Sequence, residues 1–182
     1  MLREDFESKI LPELKRALNI NNDLRVPRPL KGIVQIGIGK LISQNPDQKD
    51  NIVEEASMIL TKITGQKPKV VISNKSISGF KLRKGMPVAV LVTLRKKRLL
   101  DFIERLLTYA LPRSRDFKGI KHNMLDNKGN LNLGFKEVTI FPEAFSDKIK
   151  RQYGLGINLV GSGRNFEENK TLWEKLGFPF IK

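Results

Sequence analysis

Between Lys75 and Arg98 the chain carries Lys75, Lys81, Arg83, Lys84, Arg95, Lys96, Lys97 and Arg98, eight cations with no acidic residue among them. Embedded in the run is Ser76-Ile77-Ser78-Gly79-Phe80, a small, flexible stretch tipped by an aromatic ring. Lysine and arginine hold phosphates, serine hydroxyls and freed backbone N–H groups bond riboses, and an exposed phenylalanine stacks on a base or sugar. The same composition also fits a solvated hairpin loop with Phe80 folded back on the domain. The first reading supplies a ligand, a nucleic acid; the second supplies none.

Covalent chemistry finds no comparable support. With no cysteine in the chain, disulfides, thiolate catalysis, thiolate zinc sites and iron–sulfur clusters are excluded. Gly37-Ile38-Gly39-Lys40 follows a strand-like run and invites a nucleotide-binding reading. A phosphate loop needs serine or threonine after the lysine, where Leu41 stands. A dinucleotide fingerprint needs a third small residue where Ile42 stands. These glycines are better read as permitting close backbone approach, either to a turn or to RNA. The lone His122 sits between Lys121 and Asn123 with no partners for a triad or metal, so it reads as solvated. Glu54-Glu55 and Glu167-Glu168 fit helix surfaces and first turns. Trp173 reads as core packing. No enzyme and no cofactor are expected. A second basic stretch, Arg113, Arg115, Lys118 and Lys121, encloses Asp116 and Phe117; its residues suit an RNA or a protein partner equally.

The whole chain leans the same way. In 182 residues, 34 Lys and Arg against 19 Asp and Glu leave a net charge of +15. Such an excess repels itself and favours a polyanion, and nucleic acid rewards each neutralised phosphate with a released counterion. Neither a lipid motif nor a hydrophobic leader is present, and no apolar run approaches the roughly 20 residues of a membrane span. A soluble, cytoplasmic chain with no membrane partner is expected.

Several elements must position these groups. Phe6, Ile10, Leu11, Leu14 and Leu18 share a helical face over residues 3–19, with Pro12 marking a kink or restart. A strand over 32–38 points Val34, Ile36 and Ile38 one way and Gln35 and Gly37 the other. Residues 48–64 form a helix capped by Gly65. A short strand over 69–73 leads into the basic loop of about 74–86. The next strand alternates Val88, Val90, Val92 and Leu94 with Ala89, Leu91, Thr93 and Arg95. A helix over about 96–110 is expected to end at Leu111-Pro112. Strands are expected at 131–141 and 155–160, the Gly161-Ser162-Gly163 turn follows the second, and a last helix runs over about 166–176, with Asn165 and Glu168 at capping-box spacing. With no repeat or linker, this is one domain of α+β class spanning 1–182. Its mainly antiparallel sheet is covered by helices on one face and left open on the other. Gln35, Gly37, Thr93 and Arg95 lie on the open face, a platform for RNA or simply the solvent side of a sheet.

At this level of detail the chain resembles the bacterial large-subunit ribosomal protein L-five family. The resemblance rests on Gln35-Ile36-Gly37-Ile38-Gly39, Thr64-Gly65-Gln66-Lys67-Pro68, the run from Lys75 to Pro87, and Val92-Thr93-Leu94-Arg95. It continues through Leu111-Pro112-Arg113-Ser114-Arg115-Asp116-Phe117, Gly134-Phe135-Lys136-Glu137, Ile140-Phe141-Pro142-Glu143 and Leu176-Gly177-Phe178-Pro179-Phe180. The resemblance implies a structural protein of the ribosome's central protuberance. Its sheet face would meet 5S rRNA through Gln35, Gly37, Gly39, Gln66, Thr93 and Arg95. The loop residues Lys75, Ser76, Ser78, Gly79, Phe80, Lys81, Arg83 and Lys84 would reach P-site tRNA. Arg113, Arg115, Asp116 and Phe117, with Pro142, Glu143 and the residues on to Asp147, would face the small-subunit head protein S-thirteen. Further implied partners are 23S rRNA and neighbouring proteins of the protuberance. Gln35 departs from the family's usual asparagine, keeping the amide on a longer arm.

Overall fold

The structure is a computed structural model describing residues 5–114, 117–145 and 151–181. Five strands, β1 (Pro29–Gly37), β2 (Lys69–Ile72), β3 (Pro87–Leu94), β4 (Leu131–Phe135) and β5 (Leu155–Gly161), form one antiparallel sheet in the order β2-β3-β1-β5-β4. Among the described residues six α-helical segments accompany it: α1 (Leu11–Ala17), α2 (Gly39–Gln44), α3 (Lys49–Thr64), α4 (Lys96–Arg105), the single turn α5 (Leu111–Arg113) and α6 (Phe166–Lys175). Four of the strands alternate over most of their length, with Val34, Ile36, Val90, Val92, Leu131, Leu133, Leu155 and Ile157 buried and their neighbours more exposed, while the edge strand β2 has no fully buried residue. That one-sided burial is the mark of an α+β fold with an open sheet face. No described helix is long and apolar enough to cross a membrane.

The chain divides into two compact units, and the divisions fall inside β1, β3, β4 and β5. The first unit comprises Met1–Gly32, Leu94–Leu133 and Asn158–Lys182. Here both Leu-Pro pairs are accommodated by the same device. A π-helical turn, Phe6–Ile10, precedes α1, and another, Leu106–Ala110, precedes α5. The N–H of Leu11 bonds the Phe6 carbonyl and that of Leu111 bonds the Leu106 carbonyl, five residues back rather than four. The wider turn gives Pro12 and Pro112, which lack an N–H and crowd the preceding carbonyls, a place at the start of a new α-turn. The helix expected to stop at Leu111-Pro112 therefore runs on to Arg113.

The last helix is held by a polar network. Asp126 closes a turn in which its carboxylate accepts from Lys128 N, Asn130 N and Asn130 Nδ2 at 2.8–2.9 Å. Partial burial pushes this carboxyl up, but those hydrogen bonds and the Lys128 charge outweigh it and hold it below the usual value. The turn presents the Gly129 carbonyl to Trp173 Nε1 at 2.8 Å and the Lys128 carbonyl to Asn169 Nδ2 at 2.7 Å. Asn169 Oδ1 accepts from Gly163 N at 2.8 Å, and the residue is 1% exposed. The expected capping box does not form. Asn165 is the N-cap residue, but its side chain makes no cap bond, and Glu168 accepts from Arg164 N at 2.9 Å instead.

The second unit comprises Ile33–Thr93 and Gly134–Ile157. In α3, Ile52, Ala56, Ile59, Leu60 and Ile63 are buried at helical spacing, and Gly65 ends the helix in the left-handed conformation, φ 64°. Glu55, expected on a solvent face, instead accepts from Arg151 Nη1 and from the Tyr153 hydroxyl, each at 2.8 Å. Arg151 also bonds Gln48. Burial, reinforced by the Glu55 carboxylate, pushes the Tyr153 hydroxyl well above its usual pKa. The strand expected over 131–141 stops at Phe135. Beyond it Val138–Ile140 and Pro142–Ala144 form single 3-10 turns, the second packed on α3, which bury Val138, Ile140, Phe141 and Ala144. An apolar run of this kind suits a buried turn as well as a strand.

Candidate nucleic-acid interface

In the second unit the open face is built by strand alternation. Gln35 and Gly37 are exposed on β1, and Ala89, Leu91 and Thr93 are half-buried on β3. The antiparallel register Lys69↔Leu91 and Val71↔Ala89 adds Lys69 and Val71 to that face. Gln66 follows the Gly65 cap, and its Nε2 donates to the Thr93 carbonyl at 3.4 Å. The fold thus brings Gln66 and Thr93, 27 residues apart in the chain, side by side. Gln35 lies across Gly156, where an added Cβ would come within 3.1 Å of its Cγ. At Gly37 and at Gly134 on β4, an added Cβ would meet nothing within 4 Å, and neither has the positive φ that demands glycine. Among the described residues no contact explains why these two outward positions are bare. Gly39 behaves differently. It opens α2, half-buried, with the Val88 backbone 3.5 Å from where a Cβ would sit.

Arg95 is the N-cap residue of α4, exposed and extended, and Lys96, Lys97 and Arg98 follow it, all exposed. Lys96 has φ 51°, a left-handed conformation that costs a side-chain-bearing residue about 1–2 kcal/mol. Four cations also stand at the positive end of the α4 dipole, where each is unfavourable by about 0.3–1 kcal/mol. Neither cost is offset by an acidic residue in the first turn, which contains none.

The basic 74–86 segment, expected as a flexible loop, is a hydrogen-bonded hairpin extension. Ser73 N bonds the Met86 carbonyl and Gly85 N the Ser73 carbonyl, both at 2.8 Å. Ile77 and Leu82 form a second bridge, and Ser78–Phe80 closes the tip as a 3-10 turn, followed by Lys81 at φ 53°. Lys84 N donates to Ser76 Oγ at 2.9 Å, so that hydroxyl is already engaged as an acceptor. Phe80 is 73% exposed at the tip, not folded back. Lys75, Lys81, Arg83, Lys84, Ser78 and Gly79 are exposed around it.

Of the remaining candidates, Arg113 is exposed and Phe117 half-buried in the first unit; Pro142 is exposed and Glu143 half-buried in the second. Arg115, Asp116 and Asp147 lie outside the described residues. His122 is not simply solvated: its ring stacks on Phe166 with centroids 4.9 Å apart. Sequence names Gly134 only within a motif, Lys96 only as one cation of the basic run and Glu55 only as a helix-surface carboxylate; none is singled out for a role of its own. Gly134 could have been, since it alternates with buried Leu133 and Phe135 as Gly37 does with Ile36 and Ile38.

Two family models match. Residues 22–83 match "Ribosomal protein L5", and residues 87–180 match the model of the C-terminus of the same ribosomal family. The "Large ribosomal subunit protein uL5" of Caldanaerobacter subterraneus is 43% identical over 181 residues, covering 100% of this chain and 98% of its own. The protein of that name from Geotalea daltonii is 43% identical over 179 residues, covering 98% of this chain and 97% of its own. That from Thermoanaerobacter sp. is 42% identical over 181 residues, covering 100% of this chain and 98% of its own.

Proposed function

The chain belongs to the ribosomal protein L5 family, a structural, non-catalytic constituent of the large ribosomal subunit, and on that premise we propose that its open sheet face is the seat of 5S rRNA. Gln35, Gln66, Thr93 and Arg95 supply the amide, hydroxyl and guanidinium donors, and Gly37 leaves room for the sugar–phosphate backbone. Gly39 acts one step removed, by turning the chain from β1 into α2. The observation that carries this reading is the pair of bare positions, Gly37 and Gly134, which nothing among the described residues requires to be glycine. A strand position emptied without internal cause fits close approach by another backbone. The offered face is preformed, so shape and backbone recognition need little rearrangement.

In the same reading the hairpin of residues 74–86 touches P-site tRNA with Phe80 and its surrounding cations. Arg113, Arg115, Asp116, Phe117, Pro142 and Glu143 face the small-subunit head protein S-thirteen, and 23S rRNA and neighbouring protuberance proteins complete the contacts. The deciding experiment titrates the chain with 5S rRNA and with a competitor RNA of equal length at physiological salt. A clear preference for 5S rRNA is expected; equal affinity overturns the reading in favour of unspecific polyanion binding. Thr93→Ala and Arg95→Ala are expected to weaken 5S rRNA binding far more than changes in the hairpin. Hairpin variants are expected to impair tRNA retention in assembled ribosomes.

A further inference from the structure

The second unit contains an open cavity of about 870 Å³ at the base of the basic hairpin, within the size range of ligand clefts, roughly 300–1,000 Å³. Its more buried lining is mainly aliphatic, with Ile42 from α2 and half-buried Leu82 and Met86 from the hairpin; half-buried Ser43 also lines it, its hydroxyl already donating to the Lys40 carbonyl at 2.9 Å. Its exposed rim carries Lys49 from the first turn of α3 and Lys81, Arg83 and Lys84 from the hairpin. No lining residue is acidic, aromatic or amide-bearing.

We propose that this groove docks a short acidic segment of another protein, anchored by an aliphatic side chain. The lining selects between the two classes of anionic macromolecule. A nucleobase would find no ring to stack on and no amide to read its edge. A phosphodiester would meet the same rim cations, but pressed onto Ile42, Leu82 and Met86 it would lose water against hydrocarbon, a loss an aliphatic side chain does not suffer. An aliphatic side chain gains from that same floor, and flanking Asp or Glu residues meet the four rim cations. The site is separate from the sheet face, so it stands whether or not 5S rRNA seats there, but it shares Lys81, Arg83 and Lys84 with the hairpin surface proposed for tRNA, and the two ligands would compete for them.

The test uses the full chain and a fluorescein-labelled peptide of aspartate and glutamate around one central leucine, read by fluorescence polarisation at physiological salt. Controls are the same peptide with serine in place of leucine, and hexauridylate as competitor. Binding is expected, weakened about tenfold or more, roughly 1.4 kcal/mol per decade, when the leucine is replaced. Lys49→Glu and Met86→Asn are expected to weaken it similarly, while Lys62→Ala, at an exposed position of α3 outside the groove, leaves it unchanged. If Met86→Asn fails to fold by circular dichroism, the exposed Lys49→Glu and the leucine-to-serine comparison still decide. The proposal is overturned if the peptide does not bind, if the two peptides bind alike, or if hexauridylate displaces the peptide more effectively than unlabelled peptide does.

Discussion

Replacing Asn169 by alanine removes one side chain that joins three parts of the first unit. Its Nδ2 donates to the Lys128 carbonyl at 2.7 Å and to the Gly163 carbonyl at 3.3 Å, and its Oδ1 accepts from Gly163 N at 2.8 Å. Alanine would leave Lys128 O and Gly163 N orphaned where water enters poorly, at about 1–3 kcal/mol per group, with a smaller loss from the long bond. We expect a loss of about 2–5 kcal/mol, a large share of the roughly 5–15 kcal/mol typical of a folded chain. Urea unfolding followed by far-UV circular dichroism should show the midpoint falling by roughly 1–2 M at an unchanged slope. A second variant makes the reasoning sharper. A Cβ at Gly161 would sit 2.2 Å from Asn169 Oδ1 and 3.0 Å from its Cγ. Gly161→Ala should therefore be costly in the native background and cheaper by about 1 kcal/mol or more once Asn169 is alanine. A loss below about 0.5 kcal/mol for Asn169→Ala, together with equal costs of Gly161→Ala in both backgrounds, would refute the network as a stabilising element.

Three further outcomes are expected. Lys96→Gly relieves a left-handed lysine, so thermal unfolding should show a gain of up to about 1 kcal/mol while RNA affinity falls; loss of stability would show that φ 51° is not strained. Tyr153→Phe removes the bond to Glu55 and should cost about 1 kcal/mol at neutral pH. Because the Tyr153 hydroxyl is raised above its usual value of 10.0, the folded state holds its proton longer than the unfolded one. The native chain should lose stability relative to the phenylalanine variant as pH rises above 10, and parallel pH–stability curves would contradict this. Asp126→Asn should flatten the loss of stability on acidification. A carboxyl held below its usual 3.8 supports the fold above that value and ceases to do so as pH falls through its folded value.

Much of this architecture can be read from residue order, because burial on one side of a strand or helix writes a period into the chain. The alternation of Val90, Val92 and Leu94 with Leu91, Thr93 and Arg95 places β3 and its open face, and Ile52 to Ile63 with Gly65 places α3. What escaped has physical causes. The π-turns keep an apolar face through Pro12 and Pro112, so periodicity cannot say whether the helix ends there. Val138, Ile140 and Phe141 are equally apolar in a strand or a buried 3-10 turn. The capping signal of Asn165 and Glu168 is met by a neighbouring N–H. The partner of Glu55 lies 96 residues away at Arg151, beyond any local pattern. In the candidate interface the outward donors were legible and alternation could have placed Gly134 outward, while the open space around it and the strain at Lys96 needed backbone geometry.

The sheet order leaves β2 and β4 as its edges, and these are the shortest strands, of four and five residues. The pairing of β2 with β3 breaks register between Val71 and Ile72, and exposed Lys67 and Lys69 stand at its start. Short, irregular and charged edges are poor templates for another chain. A protein that leaves one sheet face uncovered runs the risk of pairing with its own copies. Here the defence lies along the rim, so the open surface can stay exposed without recruiting strands into aggregates.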